Sequence, residues 1–466
     1  MKLHSEKQYQ WRWAWLAFLP VAVLRAGTLA ESDTFWQVRT GLLTLFLGRL
    51  PSVDTLSWTA YGKPWTLNSW GFDVLLAYAY RLGDLAAVAV LGSALVMLVA
   101  AIVLVAAKRA GATPFASAAT LLLMSPALIG WFSVRPQLVD YVFVPTLLLL
   151  LRPALKGKRR VAALIGMALV SIVWVNLHAA AALGVAVVGI AGVASLVGRR
   201  LTMRSLAGAL TPAGACLAGT LLNPQGAGLW GQNLGVRSSS VSVVTEWQPI
   251  DITDAAQLFM LSLAIVALVV AVKRKDWLDA GALAALVFAS GIAIRFLPIA
   301  DLASIPLLAS ALSSEGLRTY AAGRRILFRG GAIALVGAFT VVAAPSILHL
   351  GEPDPRFYPA ESIAALPSGC RLFNDYRVGG LVILQRPDVP VSLDSRNDLY
   401  GADTVTEAQR ILGGQGSVAA LERRGVDCVL VQATTKLAQQ LGQAPGWSRV
   451  SAAPGAQLFV RQPSAP

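Results

Sequence analysis

Glu31 and Asp33 stand where the first apolar stretch of the chain ends, and an aromatic-rich segment comes directly after them. A carboxylate fixed at such an edge is placed to act as a general base on a hydroxyl. The plain alternative is a pair of solvated loop charges, because acidic side chains are mostly exposed. The segment after Asp33 strengthens its case against that alternative. Phe35, Trp36, Val38, Leu42, Leu43, Phe46 and Leu50, with Gln37, Arg39 and Arg49 between them, are patterned as a helix lying in a membrane interface. Such a helix would hold the carboxylate at the membrane surface. Arg25, late in the first apolar stretch, either joins this group or pairs with Glu31.

Further polar residues fall at the ends of later apolar runs: Arg135 and Gln137, Asn176 and His178, Asn223, Glu246, and Arg295. Ionisable groups at membrane depth are costly and are functional candidates by default. Each has a bland reading of its own, His178 and Asn223 as helix-end caps and the arginines as snorkelling side chains. Their gathering on the side expected to hold Asp33 favours a shared role. With Trp36 and Gln37 beside Asp33, we take them as candidates for lipid-phosphate or substrate binding. The chemistry fits a lipid-linked sugar phosphate. Arginine holds the phosphate and stabilises it as it leaves, and the carboxylate takes the proton of an acceptor hydroxyl. No separate acid is required.

These residues need a membrane scaffold, and the composition supplies one. The 466 residues are 56% hydrophobic and only 14% charged, against about 25% charged in soluble chains. Runs such as Leu85–Ala107 and Gly331–Ala344 reach or approach the roughly 20 residues that cross a bilayer. The formal charge of +14 does not signal nucleic acid, because the basic residues cluster in short gaps between apolar runs. Those clusters are Lys108-Arg109, Lys156 to Arg160, Arg199-Arg200, Lys273-Arg274-Lys275 and Arg324-Arg325, the pattern of cytoplasmic loops. Lys2, Lys7 and Arg12 with no small-residue cleavage site make the N-terminus an anchor and not a signal peptide. Spans are expected near 13–30, 85–107, 114–132, 136–153, 161–177, 180–197, 205–222, 256–272, 277–296, 298–313 and 331–350. About eleven spans with a cytoplasmic N-terminus put residues 351–466 outside the cytoplasm. Residues 31–84 then form a first outer loop, with a second short helix at Phe72–Leu82.

After residue 351 the pattern changes to that of a small α/β domain. Cys370–Phe373, Val389–Leu393, Val426–Val431 and Gln457–Arg461 are strand-like, and Thr404–Leu412 and Ser417–Arg424 helical. Asn374-Asp375-Tyr376 and the stretch from Asp394 to Tyr400 place polar groups at strand ends, where α/β sheets bind ligands. Turns and helix caps explain them equally well. Gly379-Gly380 alone is a weak phosphate-loop signal, and no internal repeat is visible. Three cysteines are too few for a disulfide scaffold. Cys370 and Cys428 either pair, if the domain is extracytoplasmic, or remain two buried thiols. No cofactor is expected, and a divalent metal has no support in the residues.

The chain resembles integral-membrane glycosyltransferases of the GT-C fold, which use polyprenyl-phosphate sugars; protein O-mannosyltransferases are well-known members. It is more similar to a bacterial branch carrying Asp-Thr-Phe-Trp-Gln-Val-Arg-Thr-Gly (33–41), Asp54-Thr-Leu-Ser-Trp-Thr-Ala and the Trp65–Trp70 stretch. Counterparts of Val175-Asn-Leu-His178, Leu222-Asn-Pro-Gln225, Phe373-Asn374-Asp375-Tyr376 and Asp394-Ser-Arg396-Asn-Asp398-Leu-Tyr400-Gly401 complete the likeness, which spans nearly the whole chain. It implies a transmembrane module over 1–350 and an extracytoplasmic α/β domain over 351–466. It also implies that the acid after the first span is the catalytic base. That acid is Asp33, with Glu31 second; where many members have an adjacent Asp-Glu pair, this chain has Glu-Ser-Asp.

The expected protein is therefore a glycosyltransferase of the bacterial inner membrane. It moves a sugar from a polyprenyl-phosphate donor to a hydroxyl of a glycan, lipid or protein acceptor of the cell envelope, with inversion. One rival is a lipid-linked glycan polymerase or ligase, whose key arginines usually sit in a large late loop; here the long loop comes first. The other is a transporter or scaffold. A transporter should show acids or broken helices near mid-bilayer, where this chain has mostly Ala, Leu and Val.

Overall fold

The computed structural model describes residues 10–231, 244–314, 325–453 and 455–462. Lys2, Lys7 and Arg324, which carry part of the charge argument, lie outside the described residues. The chain forms two compact units. The first comprises Met1–Thr28, Leu85–Asn233 and Glu246–Gly351; the second comprises Leu29–Asp84, Leu234–Thr245 and Glu352–Pro466.

The first unit is helical. Among the described residues of the chain, seven helices are long and apolar enough to cross a membrane, and Ala179–Ala194 and Trp277–Ile292 are shorter apolar helices. Met203–Thr220 adds another helix, opened by a capping box in which Thr202 and Ser205 satisfy each other's backbone N–H groups. Every span expected from residue 85 onward thus has its helix. The first does not run as one piece. A turn at residues 17–18 precedes Leu19–Ala26, which ends four residues before the expected Ala30. Pro20 near the start of that helix explains the break, since it cannot donate backward but fits a first turn. Small residues let these helices approach closely. A Cβ added at Gly192 would collide with the carbonyl oxygen of Ala209 on the next helix. Arg152 pairs with Asp276 and Asp279, at 2.5 and 2.9 Å, and ties Gln137–Leu155 to Trp277–Ile292.

Trp70–Arg109 is continuous in sequence but broken in conformation. Gly83 is extended, and Asp84 lies in the left-handed region at φ 50°. The break matches the boundary expected between the short loop helix and the following span.

The second unit is built around a four-stranded sheet. Its strands are β1 (Leu372–Asn374), β2 (Cys428–Gln432), β3 (Trp447–Ala453) and β4 (Ala456–Arg461), in spatial order β1-β2-β4-β3. β1 and β2 are parallel and the other pairs antiparallel. Cys428 to Val431 are all buried, the unbroken apolar run of a central strand. Cys370 and Cys428 form a disulfide, with Cα atoms 6.0 Å apart, at the start of the parallel pair.

One expectation is corrected. Val389–Leu393 is not a ladder strand: Val391 makes isolated parallel bridges to Leu372 and to Ser57 of the first loop. Pro390 removes one donor from the segment. The strand β3 has no counterpart among the expected strands; Trp447–Ala453 is mostly polar or small. Of the expected helices, Thr404–Leu412 begins earlier, at Asn397, with a kink at Gly401. Ser417–Arg423 is helical as expected.

Candidate active site

In the second unit the site is built on the helix Ser32–Leu47. Glu31 occupies the N-cap in extended conformation without capping through its side chain, and Asp33 lies in the first turn. Negative charge is favoured there by the unpaired N–H groups and the helix dipole. Oδ1 of Asp33 accepts hydrogen bonds from Trp36 Nε1 at 3.2 Å and from Ser395 Oγ. Trp36 Nε1 also reaches Ser395 Oγ at 3.0 Å, closing a triangle of three polar groups. The indole of Trp36 packs edge-on against Trp65, 5.8 Å between centroids.

Ser395 is held by its neighbours in sequence, which point into the core. Arg396 is fully buried between two carboxylates, Nη1 to Asp54 at 2.7 Å and Nη2 to Asp394 at 2.6 Å. Its Nε adds a second bond to Asp394, and Tyr400 donates to the same carboxylate at 2.8 Å. The guanidinium lies 4.7 Å from the Trp65 ring centre. Asp54 also accepts from the backbone N–H and hydroxyl of Ser57, at 3.0 and 2.6 Å. Such a cluster is expensive to desolvate and holds only when its polar atoms are satisfied. Here it clasps the first loop to the segment carrying Ser395.

Gly379-Gly380, a weak phosphate-loop signal in the sequence, has another use. A Cβ at Gly380 would collide with the carbonyl oxygen of Ser32, and one at Gly379 with that of Leu393. The pair lets the helix Gly379–Gln385 lie directly against the start of the Asp33 helix. Buried Asn374 serves the same region. Its Nδ2 donates to Leu393 O at 2.8 Å, and its Oδ1 accepts from Ser392 N at 2.9 Å. Gln37 is buried and donates to Ser69 Oγ at 3.4 Å.

In the first unit, Arg135, Glu246 and Arg295 come together. Arg135 is buried and pairs with Glu246 at 2.5 Å. Arg295 stacks on Trp247, 4.4 Å from its centroid, and the backbone N–H of Ile294 donates to Gln248 O at 2.9 Å. Burial would raise the Glu246 carboxyl, but the charges of Arg135 and Arg295 outweigh it and hold the group below its ordinary range. His178 takes a different partner: Nδ1 lies 2.8 Å from Asp140, which also accepts from Trp174 Nε1 at 2.7 Å.

The two asparagines are bound to backbone. Asn176 donates to Ile172 O and Leu222 O, both at 2.8 Å. Asn223 closes its own turn through Thr220 O, Gly226 O and Gln225 N. Among the described residues, no group of three or more His, Cys, Asp or Glu is arranged to hold a metal ion.

Ser395, Asp54, Asp394 and Arg396 were not assigned roles from sequence. Their segments stood out as part of the family likeness, yet nothing local in the sequence links residue 33 to residue 395.

No protein-family model and no curated protein matches the chain. Solved structures do. The apo oligosaccharyltransferase of Archaeoglobus fulgidus superposes with a TM-score of 0.59 at 12% identity, over 91% of this chain and 69% of that one. AglB from the same organism, in complex with an inhibitory peptide and a dolichol-phosphate, gives 0.57 at 13% identity, over 99% and 75%. The mycobacterial arabinofuranosyltransferase AftD gives 0.57 at 15% identity; 97% of this chain aligns, spanning only 40% of that larger protein. The chain therefore has the GT-C fold of membrane glycosyltransferases, a polytopic helical bundle with a small sheet-containing part.

Proposed function

We propose that the protein is a glycosyltransferase that moves one sugar from a polyprenyl-phosphate donor to a hydroxyl of a cell-envelope acceptor. The reaction takes place on the outer face of a bacterial cytoplasmic membrane and inverts the anomeric centre. The observation that carries this reading is Asp33, in the first turn of its helix, with Trp36 and Ser395 fixing one carboxylate oxygen. Asp33 removes the acceptor proton while the acceptor oxygen bonds to the anomeric carbon. The bond from that carbon to the phosphate oxygen breaks, and the phosphate leaves with the electron pair. For the charge of the leaving phosphate we assign arginine, with Arg135 and Arg295 of the first unit as the candidates and His178 as a further polar candidate; Glu246 pairs with Arg135. The disulfide between Cys370 and Cys428 supports an oxidising compartment for the second unit. The solved neighbours supply the precedent of lipid-linked glycosyl transfer on this fold, one of them carrying a dolichol-phosphate.

A second reading, transfer of a preassembled oligosaccharide, is favoured by the two oligosaccharyltransferase structures. Both are tested by one experiment on protein in nanodiscs, with labelled polyprenyl-phosphate sugars and Asp33→Asn beside the wild type. Single-sugar transfer that falls about 100-fold or more in the variant, with donor binding retained, supports the proposal. Transfer only from a pyrophosphate-linked oligosaccharide selects the second reading. Equal activity in both proteins moves the base to Glu31 or elsewhere. No transfer and no donor binding returns the protein to the transporter or scaffold class.

A further inference from the structure

A cleft of about 450 Å³ opens in the second unit beyond the carboxyl ends of the parallel strands β1 and β2. Asp375, Tyr376 and Arg377 come directly after β1 and form one side; Gln432, the last residue of β2, and Thr434 form another, with Phe357 beside them. Its size is ordinary for a small-molecule site, and its position is where α/β sheets bind ligands.

The walls have a definite chemistry. The guanidinium carbon of Arg377 lies over the Phe357 ring, 4.1 Å from its centroid, and Arg377 makes no ion pair among the described residues. A stacked guanidinium keeps its N–H edge available for a planar, two-oxygen anion. The other arginine, Arg356, is already engaged by Asp354 through paired bonds at 2.6 and 3.0 Å. Asp375 accepts the backbone N–H of Arg377 on Oδ1. One guanidinium without an ion pair among the described residues, beside one carboxylate, suits a singly charged carboxylate better than a doubly charged phosphate monoester. The remaining amide, hydroxyl and carboxylate groups suit sugar hydroxyls.

Tyr376 connects this cleft to Asp33. It lines the cleft, while its hydroxyl donates to the carbonyl of Ser395 at 3.4 Å and accepts from Asn397 Nδ2 at 2.5 Å. Ser395 is the residue that donates to Asp33. Burial, together with the negative charge of Asp33, pushes the phenol of Tyr376 well above its usual range.

We infer that this cleft is the acceptor site, and that the acceptor is a glycan carrying a uronic-acid carboxylate that Arg377 binds. Only the acceptor role of the site rests on Asp33 being the base; its binding of a carboxylate stands on the cleft alone. The test uses full-length protein in nanodiscs, a galacturonic acid trisaccharide, its neutral galactose counterpart and a glycerol phosphate oligomer. We expect the uronate to bind at least about tenfold tighter than the neutral sugar, as a charge-assisted paired contact would give. Arg377→Gln should erase that preference, and Arg377→Lys, which keeps the charge and loses the fork, should retain part of it. Equal binding of the uronate and neutral sugars, no uronate binding, tighter binding of the phosphate oligomer, or a preference that survives Arg377→Gln would each overturn the assignment. If Asp33→Asn transfers sugar normally while Arg377→Gln loses the preference, the site stands and the proposed base fails.

Discussion

Ser395 donates its hydroxyl hydrogen to Oδ1 of Asp33 although 362 residues of chain separate them. The bond fixes the orientation of the carboxylate we assign as base, and it is made by a side chain with no acid–base chemistry of its own. Removing it should slow the reaction without abolishing it. We expect Ser395→Ala to lower kcat about 10-fold, the worth of one hydrogen bond to a charged group, with donor KM little changed. Asp33→Asn should cost about 100-fold or more. Steady-state transfer kinetics compare the two, and a Ser395→Ala enzyme as fast as wild type removes the positioning role.

Arg396 predicts a stability effect. Replacing it with Met leaves Asp54 and Asp394 buried without their cation, a change that typically costs about 3–5 kcal/mol. Arg424 and Glu407 form an ion pair about 40% exposed on each side. Arg424→Met should therefore change stability by about 1 kcal/mol or less. Denaturant or thermal unfolding of the purified protein should separate the two variants clearly.

The disulfide closes a loop with a sequence separation of 58 residues. Chain-entropy arguments give it about 4 kcal/mol of stabilisation. Cys428→Ala should lower the melting temperature of the second unit, and reductant should do the same to the wild type but not to the variant. Thiol labelling before and after reduction checks the pairing directly. Cys216, buried in the first unit, should label only after unfolding.

Glu246 gives a pH dependence. Burial alone would raise its carboxyl, but Arg135 and Arg295 outweigh that effect and depress it below its ordinary range in the folded protein. A depressed acid contributes stability that is fully present above its unfolded value and lost as pH falls through the folded one. Unfolding temperature should therefore be insensitive to this pair from neutral pH down to about 4.5 and fall below it. Glu246→Gln should flatten that acid limb while lowering stability at neutral pH. An unchanged acid limb in the variant would count against the pairing.

The sequence by itself determined much of the scaffold. Apolar runs of spanning length mark nearly every helix from Leu85 to Leu348, because a long uncharged run is stable in lipid once its helix satisfies its own backbone polar groups. It also singled out Asp33 as an acid following a span, and the late segment from Asp394 to Tyr400 as polar and unusual. Tertiary structure alone decided the rest. That Ser395 meets Asp33, that Arg396 joins Asp54 to Asp394, and that Gly380 admits a helix to the carbonyl of Ser32 all depend on segments far apart in the chain. Only folding brings them within the few ångströms over which hydrogen bonds and close packing act. It likewise bound Asn176 and Asn223 to backbone carbonyls and gathered Arg135, Glu246 and Arg295. Residue type states what a side chain can bond to, and only the fold states what lies within its reach.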